Sequence, residues 1–194
     1  MNAATCTMEF AATVFGLAPS KIAKAICGAI PSGRVVGVGA SGGPGFGGLV
    51  AGGEAVLNYN SGQTSAFGYG GLQVGCCNFL SGSVYSGFAY GLNNNNSNYS
   101  GGFTSISGSG GPISVTVSRS SNGVGEPIGV APVGTPGAVT TVTVGGGEGV
   151  NTQVTGFGSV TTYSNPLQTG QFTGFGLGDF LAYGARQLCK AAGY

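Results

Sequence analysis

The chain has 194 residues, a length that one well-packed domain can use in full, so we expect a single domain. It contains 42 glycines, only 6% charged residues and 41% hydrophobic residues. Disordered chains combine low hydrophobicity with high net charge, so this composition predicts an ordered protein. A formal net charge of +1 offers no field that would gather phosphates, and we therefore expect no nucleic-acid partner.

The first segment, residues 1–31, is predicted to be a helical lead. Phe10, Val14 and Leu17 recur at helical spacing before a break at Pro19, and a second apolar set follows it. We expect this lead to plug or cap the remainder of the domain, because its apolar residues need burial. The residues that would do so are Phe10, Val14, Phe15, Ile22 and Ile26.

Residues 32–165 alternate apolar and small polar residues between turn signals about ten residues apart, which is typical of an all-β barrel or sandwich. We predict a small antiparallel, glycine-rich β-barrel or closed sandwich of about eight to ten strands with meander connections. Glycine inside strands is costly unless the backbone must curve sharply or approach closely, which favours a tight barrel. The predicted strands are 34–42, 48–59, 64–77, 83–90, 99–107, 113–119, 128–133, 139–144 and 154–163.

The segment Ile113–Ser118 alternates strictly between apolar and hydroxyl side chains. We expect its apolar face to be buried and its hydroxyl face to be wet, as in a soluble barrel. A permanent transmembrane barrel would need the opposite arrangement on strands of about nine to eleven residues, which only the longer early hairpins could supply. The pattern therefore favours a soluble barrel.

Residues 176–194 are predicted to form a C-terminal helix, with Asp179 as N-cap of Phe180–Ala192. A disulfide that joins Cys6 or Cys27 to Cys189 is one possibility in an oxidising compartment, and buried free thiols are the alternative. With no His in the chain and no C-x-x-C spacing, we expect no bound metal.

Two glycine motifs match catalytic or cofactor patterns without their necessary context. Gly37–Gly42 fits G-x-G-x-x-G, but it is followed by Gly43-Pro44-Gly45 instead of a helix, and Gly39–Gly43 fits G-x-S-x-G in a chain without His. We therefore predict no enzymatic activity and no nucleotide or other cofactor.

Three further features have a structural and a functional interpretation. Glu54, inside a predicted strand, is either exposed or buried beside Arg34 or Arg119. The run Asn93–Asn96 is expected to be a polar hairpin tip, although two glycosylation sequons overlap it. Six tyrosines either pack in the core or form a stacking platform for sugar, namely Tyr59, Tyr69, Tyr85, Tyr90, Tyr99 and Tyr163.

The region 31–164 resembles the variable C-terminal regions of bacterial RHS-repeat proteins. The resemblance rests on a Cys-containing helical lead, the sequence Val-Gly-Val-Gly-Ala-Ser-Gly-Gly at 36–43, long Gly/Ala/Phe/Tyr hairpins and a Val/Thr-rich tail. It implies a cargo enclosed by a larger RHS-type shell, often a toxin.

Two functions follow as hypotheses. The first is a non-enzymatic, toxin-like effector that acts on membranes, with lipid and a larger RHS-type parent protein as partners. The second is an extracellular structural module that binds glycan or its own copies. Because the chain shows no signal peptide and carries few charges, we expect export by a non-classical route or within a larger exported protein. The residues predicted to contact membrane or ligand are Phe46, Val50, Val56, Tyr59, Phe67 and Tyr69.

Overall fold

The structure is a computed structural model. It describes residue 24 and residues 27–44, 47–74, 79–110, 113–121, 138–150, 157–171, 176–191 and 193. Most of the predicted helical lead, the predicted strand 128–133 and the predicted contact residue Phe46 lie outside these residues.

Eight antiparallel strands form a closed barrel, which confirms the predicted fold class. Around the wall the order is β1, β2, β3, β8, β5, β6, β7 and β4, and β4 then pairs with β1. A ninth strand, β9, extends the edge of β3 beyond β8. The strands are β1 (Gly33–Gly43), β2 (Gly47–Asn58), β3 (Gln63–Val74), β4 (Phe79–Tyr90), β5 (Gly101–Gly110), β6 (Ile113–Ser121), β7 (Thr140–Val150), β8 (Phe157–Tyr163) and β9 (Gln168–Gln171).

The connectivity differs from the predicted meander. The strands β1 to β3 are consecutive neighbours, but β4 returns to lie beside β1, and β8 likewise returns to lie beside β5. Each half of the chain is therefore a Greek key. Hairpin signals in the sequence show where strands end but cannot show which non-consecutive strands pair, and for this reason the meander prediction was wrong.

The two ends of the barrel have different connections. At one end, here called the turn end, strands are joined by the short segments 44–46, 75–78, 111–112 and 151–156. At the other, the helix end, they are joined by 59–62, 91–100 and 122–139, and the C-terminal helix α1 (Leu177–Ala191) follows β9. Both the start of β1 and the helix α1 thus belong to the helix end.

Most predicted strand bounds lie within a few residues of the observed ones. The larger differences are in β3, which ends at Val74 instead of Cys77, in β4, which begins four residues early at Phe79, and in β7, which continues to Val150. Glycine and serine at these ends read as turns in the sequence, whereas pairing with the neighbouring strands keeps them extended. The four-residue β9 was not predicted.

The helix α1 is fastened to the helix end through its polar face. The Asp179 carboxylate accepts a hydrogen bond from the Tyr59 hydroxyl at 2.5 Å and pairs with Arg34 at 2.7 Å. Burial, and then the bond to Asp179, raise the pKa of the Tyr59 hydroxyl, so this group stays a donor. Arg186 donates to the Asn60 side chain and to the Cys27 carbonyl oxygen.

A disulfide between Cys27 and Cys189 joins the two ends of the chain across 162 residues. The pairing is one of the two that the sequence left open, and it excludes free thiols at these two positions. Cross-links that close long loops restrict the unfolded chain most, and are worth about 2–5 kcal/mol.

We expect Asp179→Ala to lower the free energy of unfolding by about 2–3 kcal/mol, because it removes a charged acceptor and leaves the buried Tyr59 hydroxyl without its partner. Urea unfolding followed by tyrosine fluorescence measures this. The control is Lys190→Ala, an exposed charge on the same helix, which should change stability by less than about 0.5 kcal/mol. Equal effects of Asp179→Ala and Lys190→Ala would contradict the stabilising role assigned to the Tyr59–Asp179 hydrogen bond.

Candidate functional site

The outer surface of the barrel wall is apolar. Among the described residues, exposed hydrophobic side chains occur on seven of the eight wall strands, β1 to β7. Soluble monomers rarely expose apolar patches of this extent. The exposed wall residues are Val38, Leu49, Leu72, Val74, Leu80, Val84, Phe88, Ile106, Ile113, Val115, Val117 and Val144.

The two faces of strand β6 point in the opposite directions to those predicted from the sequence. Ile113, Val115 and Val117 are 57%, 45% and 46% exposed, whereas Ser118 on the alternate face is buried. The expected apolar-in, hydroxyl-out arrangement is therefore wrong for this strand. Alternation reveals that a strand has two unlike faces, but it does not reveal which of them faces the barrel interior.

Hydroxyl groups line part of the barrel interior, from the turn end to beyond mid-height. Serine and threonine side chains on neighbouring strands hydrogen-bond across the wall: Ser41 with Ser81 at 2.8 Å, Ser105 with Ser118 at 2.8 Å, and Ser107 with Thr116 at 2.7 Å. These pairs satisfy inward polar groups without any charge. The remainder of the described interior, toward the helix end, is an apolar core, so only part of the interior is polar. Its residues include Val35, Val56, Phe67, Ala89, Phe103 and Val139.

At mid-height the interior contains one carboxylate held by three tyrosines. Glu54 on β2 is 7% exposed. Its Oε1 accepts hydrogen bonds from the hydroxyls of Tyr85 at 2.6 Å and Tyr163 at 2.9 Å, and its Oε2 accepts one from Tyr99 at 2.5 Å. A buried carboxylate is tolerated when donors of this kind satisfy it. The predicted partner Arg34 pairs with Asp179 instead.

A fourth tyrosine extends this cluster. The hydroxyls of Tyr69 and Tyr85 lie 3.0 Å apart. Because the single hydroxyl proton of Tyr85 is directed to Glu54, Tyr69 is the donor in that contact. Four of the six tyrosines singled out in the sequence therefore meet inside the barrel, and they do not form a surface platform for sugar.

Glycines on neighbouring strands make room for the tyrosine rings. An ideal Cβ on Gly37 would lie 2.5 Å from the Tyr85 ring, and one on Gly52 would collide with the Tyr69 hydroxyl. Gly37 belongs to the G-x-G-x-x-G match, so its role here is steric. This observation gives a physical reason for glycine inside these strands.

The connection between β4 and β5 closes the helix end. Its short 3-10 turn, Ser97–Tyr99, directs Tyr99 into the barrel, where the ring packs against Phe67, Phe103 and Tyr163 with centroid distances of 4.9 to 5.3 Å. Asn96 is buried, accepts a hydrogen bond from Asn58 and donates one to Ser65. Asn96 thus helps to close the barrel mouth, while the other three asparagines are exposed. Because β4 does not pair with β5, the run is not the hairpin tip that the sequence predicted.

The structure places the predicted contact residues away from the outer wall. Val56, Tyr59 and Phe67 are buried, and Val50 and Tyr69 lie on the inward alternation of their strands with Glu54 and Phe67. The outward set of the same hairpin is the alternate one, with Leu49, Leu72 and Val74 exposed. Whether the five predicted residues contact a membrane or a ligand stays a prediction.

The described residues offer neither a membrane-spanning helix nor a group of metal ligands. None of the helices described is long and apolar enough to cross a membrane. Within the same residues, no three His, Cys, Asp or Glu side chains are grouped so that they could hold a metal ion.

No protein-family model, curated protein or solved structure matches this chain. The class defined by the observations above is therefore a structural one: a closed eight-stranded antiparallel barrel with a largely apolar outer wall and one buried carboxylate among tyrosines.

We expect Tyr99→Phe to destabilise the barrel by about 1.5–3 kcal/mol, the usual worth of a hydrogen bond to a charged group. The substitution removes only the hydroxyl that Tyr99 donates to Glu54 and retains the ring contacts. Tyr90→Phe is the matched control, because Tyr90 lies outside this cluster on β4. Urea unfolding in detergent measures both, and an unchanged midpoint for Tyr99→Phe would show that the cluster contributes little.

Proposed function

We propose that this protein is a non-enzymatic effector domain whose barrel inserts into lipid bilayers. The observation that supports the proposal is the apolar outer wall of the barrel. In water this wall is unfavourable, because it exposes apolar surface. In a bilayer lipid covers these side chains, while the hydroxyl pairs of the interior stay buried and hydrogen-bonded to one another.

Closure of the sheet is the second requirement of a spanning structure. A hydrocarbon core provides no partners for free backbone N–H and C=O groups, so only helices and closed barrels cross it. The ladder here closes through the pairing of β4 with β1, and every adjacent pair around the wall is hydrogen-bonded. The wall presents no open edge to lipid.

Strand length is the third requirement of a spanning structure. A tilted transmembrane strand needs about 9–11 residues. Seven of the wall strands, β1 to β7, have 9 to 12 residues. The sequence suggested that only the early hairpins were long enough, but the later strands β5, β6 and β7 also reach this length.

The chain needs a cover for its wall before it meets lipid. An enclosing parent protein would provide one, and the resemblance to RHS C-terminal regions supports a shell of that kind as the carrier. The disulfide between Cys27 and Cys189 supports a destination outside the reducing cytosol, because such bonds persist in oxidising compartments. We therefore propose export within a larger protein.

The runner-up is an extracellular structural module in which copies of the barrel cover one another. The same apolar wall favours it, because self-association also removes that surface from water. The two proposals differ in what covers the wall, which is lipid in the first and another copy of the barrel in the second. If the first is correct, lipid must bind the wall in preference to another copy.

We expect the double substitution Val38→Arg/Val115→Arg to abolish insertion into phosphatidylcholine vesicles. Each arginine on the lipid side near mid-bilayer costs about 2–4 kcal/mol, so the pair should weaken partitioning by at least about a thousandfold. Vesicle flotation after an alkaline wash is the measurement.

The matched control is Asn94→Arg/Asn95→Arg, which adds the same charge at exposed positions of the helix-end cap. It should float as the unmodified protein does. If the unmodified protein forms defined oligomers and does not float, the structural-module proposal replaces this one.

In bacteria that produce the domain with an export signal, we expect growth to stop, and we expect Val38→Arg/Val115→Arg to restore it. The loop variant Asn94→Arg/Asn95→Arg should remain inhibitory. Growth curves at matched protein levels test this expectation. Inhibition by all three proteins would show that the apolar wall is not the cause of the toxicity.

A further inference from the structure

We propose that the barrel enters the bilayer with its turn end first and leaves its helix end on the side of entry. This inference rests on the proposed function and adds a direction to it. It follows from the distribution of charge and of buried polar structure along the barrel axis.

The helix end carries most of the described charged side chains. Arg34 begins β1, and Asp179, Arg186 and Lys190 lie on α1. Arg119 is near the helix end of β6. Moving these groups through hydrocarbon would cost several kcal/mol for each one that stays charged.

The turn end has almost no charge. The four connections 44–46, 75–78, 111–112 and 151–156 contain no Asp, Glu, Lys or Arg. In the half of the wall next to them, Glu148 of β7 is the one acidic or basic residue in the sequence. It is two residues from the strand end at Val150, where the cost of a charge falls toward that of the interface.

The helix end would also lose structure if it crossed. The Asn58–Asn96–Ser65 chain of hydrogen bonds caps its mouth, and the Cys27–Cys189 disulfide fastens α1 to the start of the chain. The turn end has four short connections, of two to six residues each, to carry across. The charges and the buried polar structure therefore both favour entry of the turn end.

The helix α1 fits a position on the entry leaflet. Its polar face binds the barrel through Asp179, Arg186 and Gln187. Leu177, Leu181 and Leu188 recur along the other face and are 62–77% exposed. A helix with this exposed apolar face suits the boundary between headgroups and acyl chains.

Sidedness of single cysteines tests the direction. In a Cys6→Ser/Cys76→Ser/Cys77→Ser background, which keeps the disulfide, Pro112→Cys marks the turn end and Asn94→Cys the helix end. The proteins are added to sealed phosphatidylcholine vesicles, floated, and treated with a membrane-impermeant maleimide. We expect Asn94→Cys to be labelled from outside and Pro112→Cys only after detergent, a difference of at least tenfold.

The outcomes separate this inference from the proposed function. External labelling of Pro112→Cys in floated protein, with Asn94→Cys protected or equally labelled, would overturn the direction while binding remained. Failure of both proteins to float, when the background variant unfolds with normal cooperativity in detergent, would overturn the proposed function and this inference together.

Discussion

In a closed antiparallel barrel, alternate residues of every strand share one interior, so a single choice of face applies to the whole wall. Glu54 fixes that choice here. Three tyrosine hydroxyls from β4, β8 and the β4–β5 connection converge on its carboxylate, and each can do so only if its residue points inward. With this set inside, the valines, leucines and isoleucines of the alternate set must face outward.

The glycines and the capping loop are consequences of the same cluster. An eight-stranded barrel has an interior that side chains just fill, so large tyrosine rings require small neighbours, as Gly37 and Gly52 show. Tyr99 reaches Glu54 only because the 3-10 turn folds over the barrel mouth, which in turn buries Asn96. The glycines at positions 37 and 52 and the closed helix end thus both follow from this cluster.

The sequence predicted the all-β barrel and most strand bounds because turn residues and period-two alternation are local signals. It did not predict the Greek-key pairing or the inward face, since both depend on which distant strands meet. Glu54 is the instructive residue: a lone acid in an apolar strand suggested exposure or an arginine partner, whereas its donors lie 31 to 109 residues away. The disulfide was among the predicted pairings, but the choice of Cys27 required the fold.

If the barrel inserts as proposed, lipid contacts the outer wall and does not contact the barrel interior. The chain has no Trp, so a single introduced one reports its own surroundings. Val84→Trp places it on the exposed wall of β4, and Phe103→Trp places it in the buried interior. In vesicles with brominated acyl chains, the account predicts strong quenching at position 84 and several-fold weaker quenching at position 103. Equal quenching, or none at position 84, would contradict it.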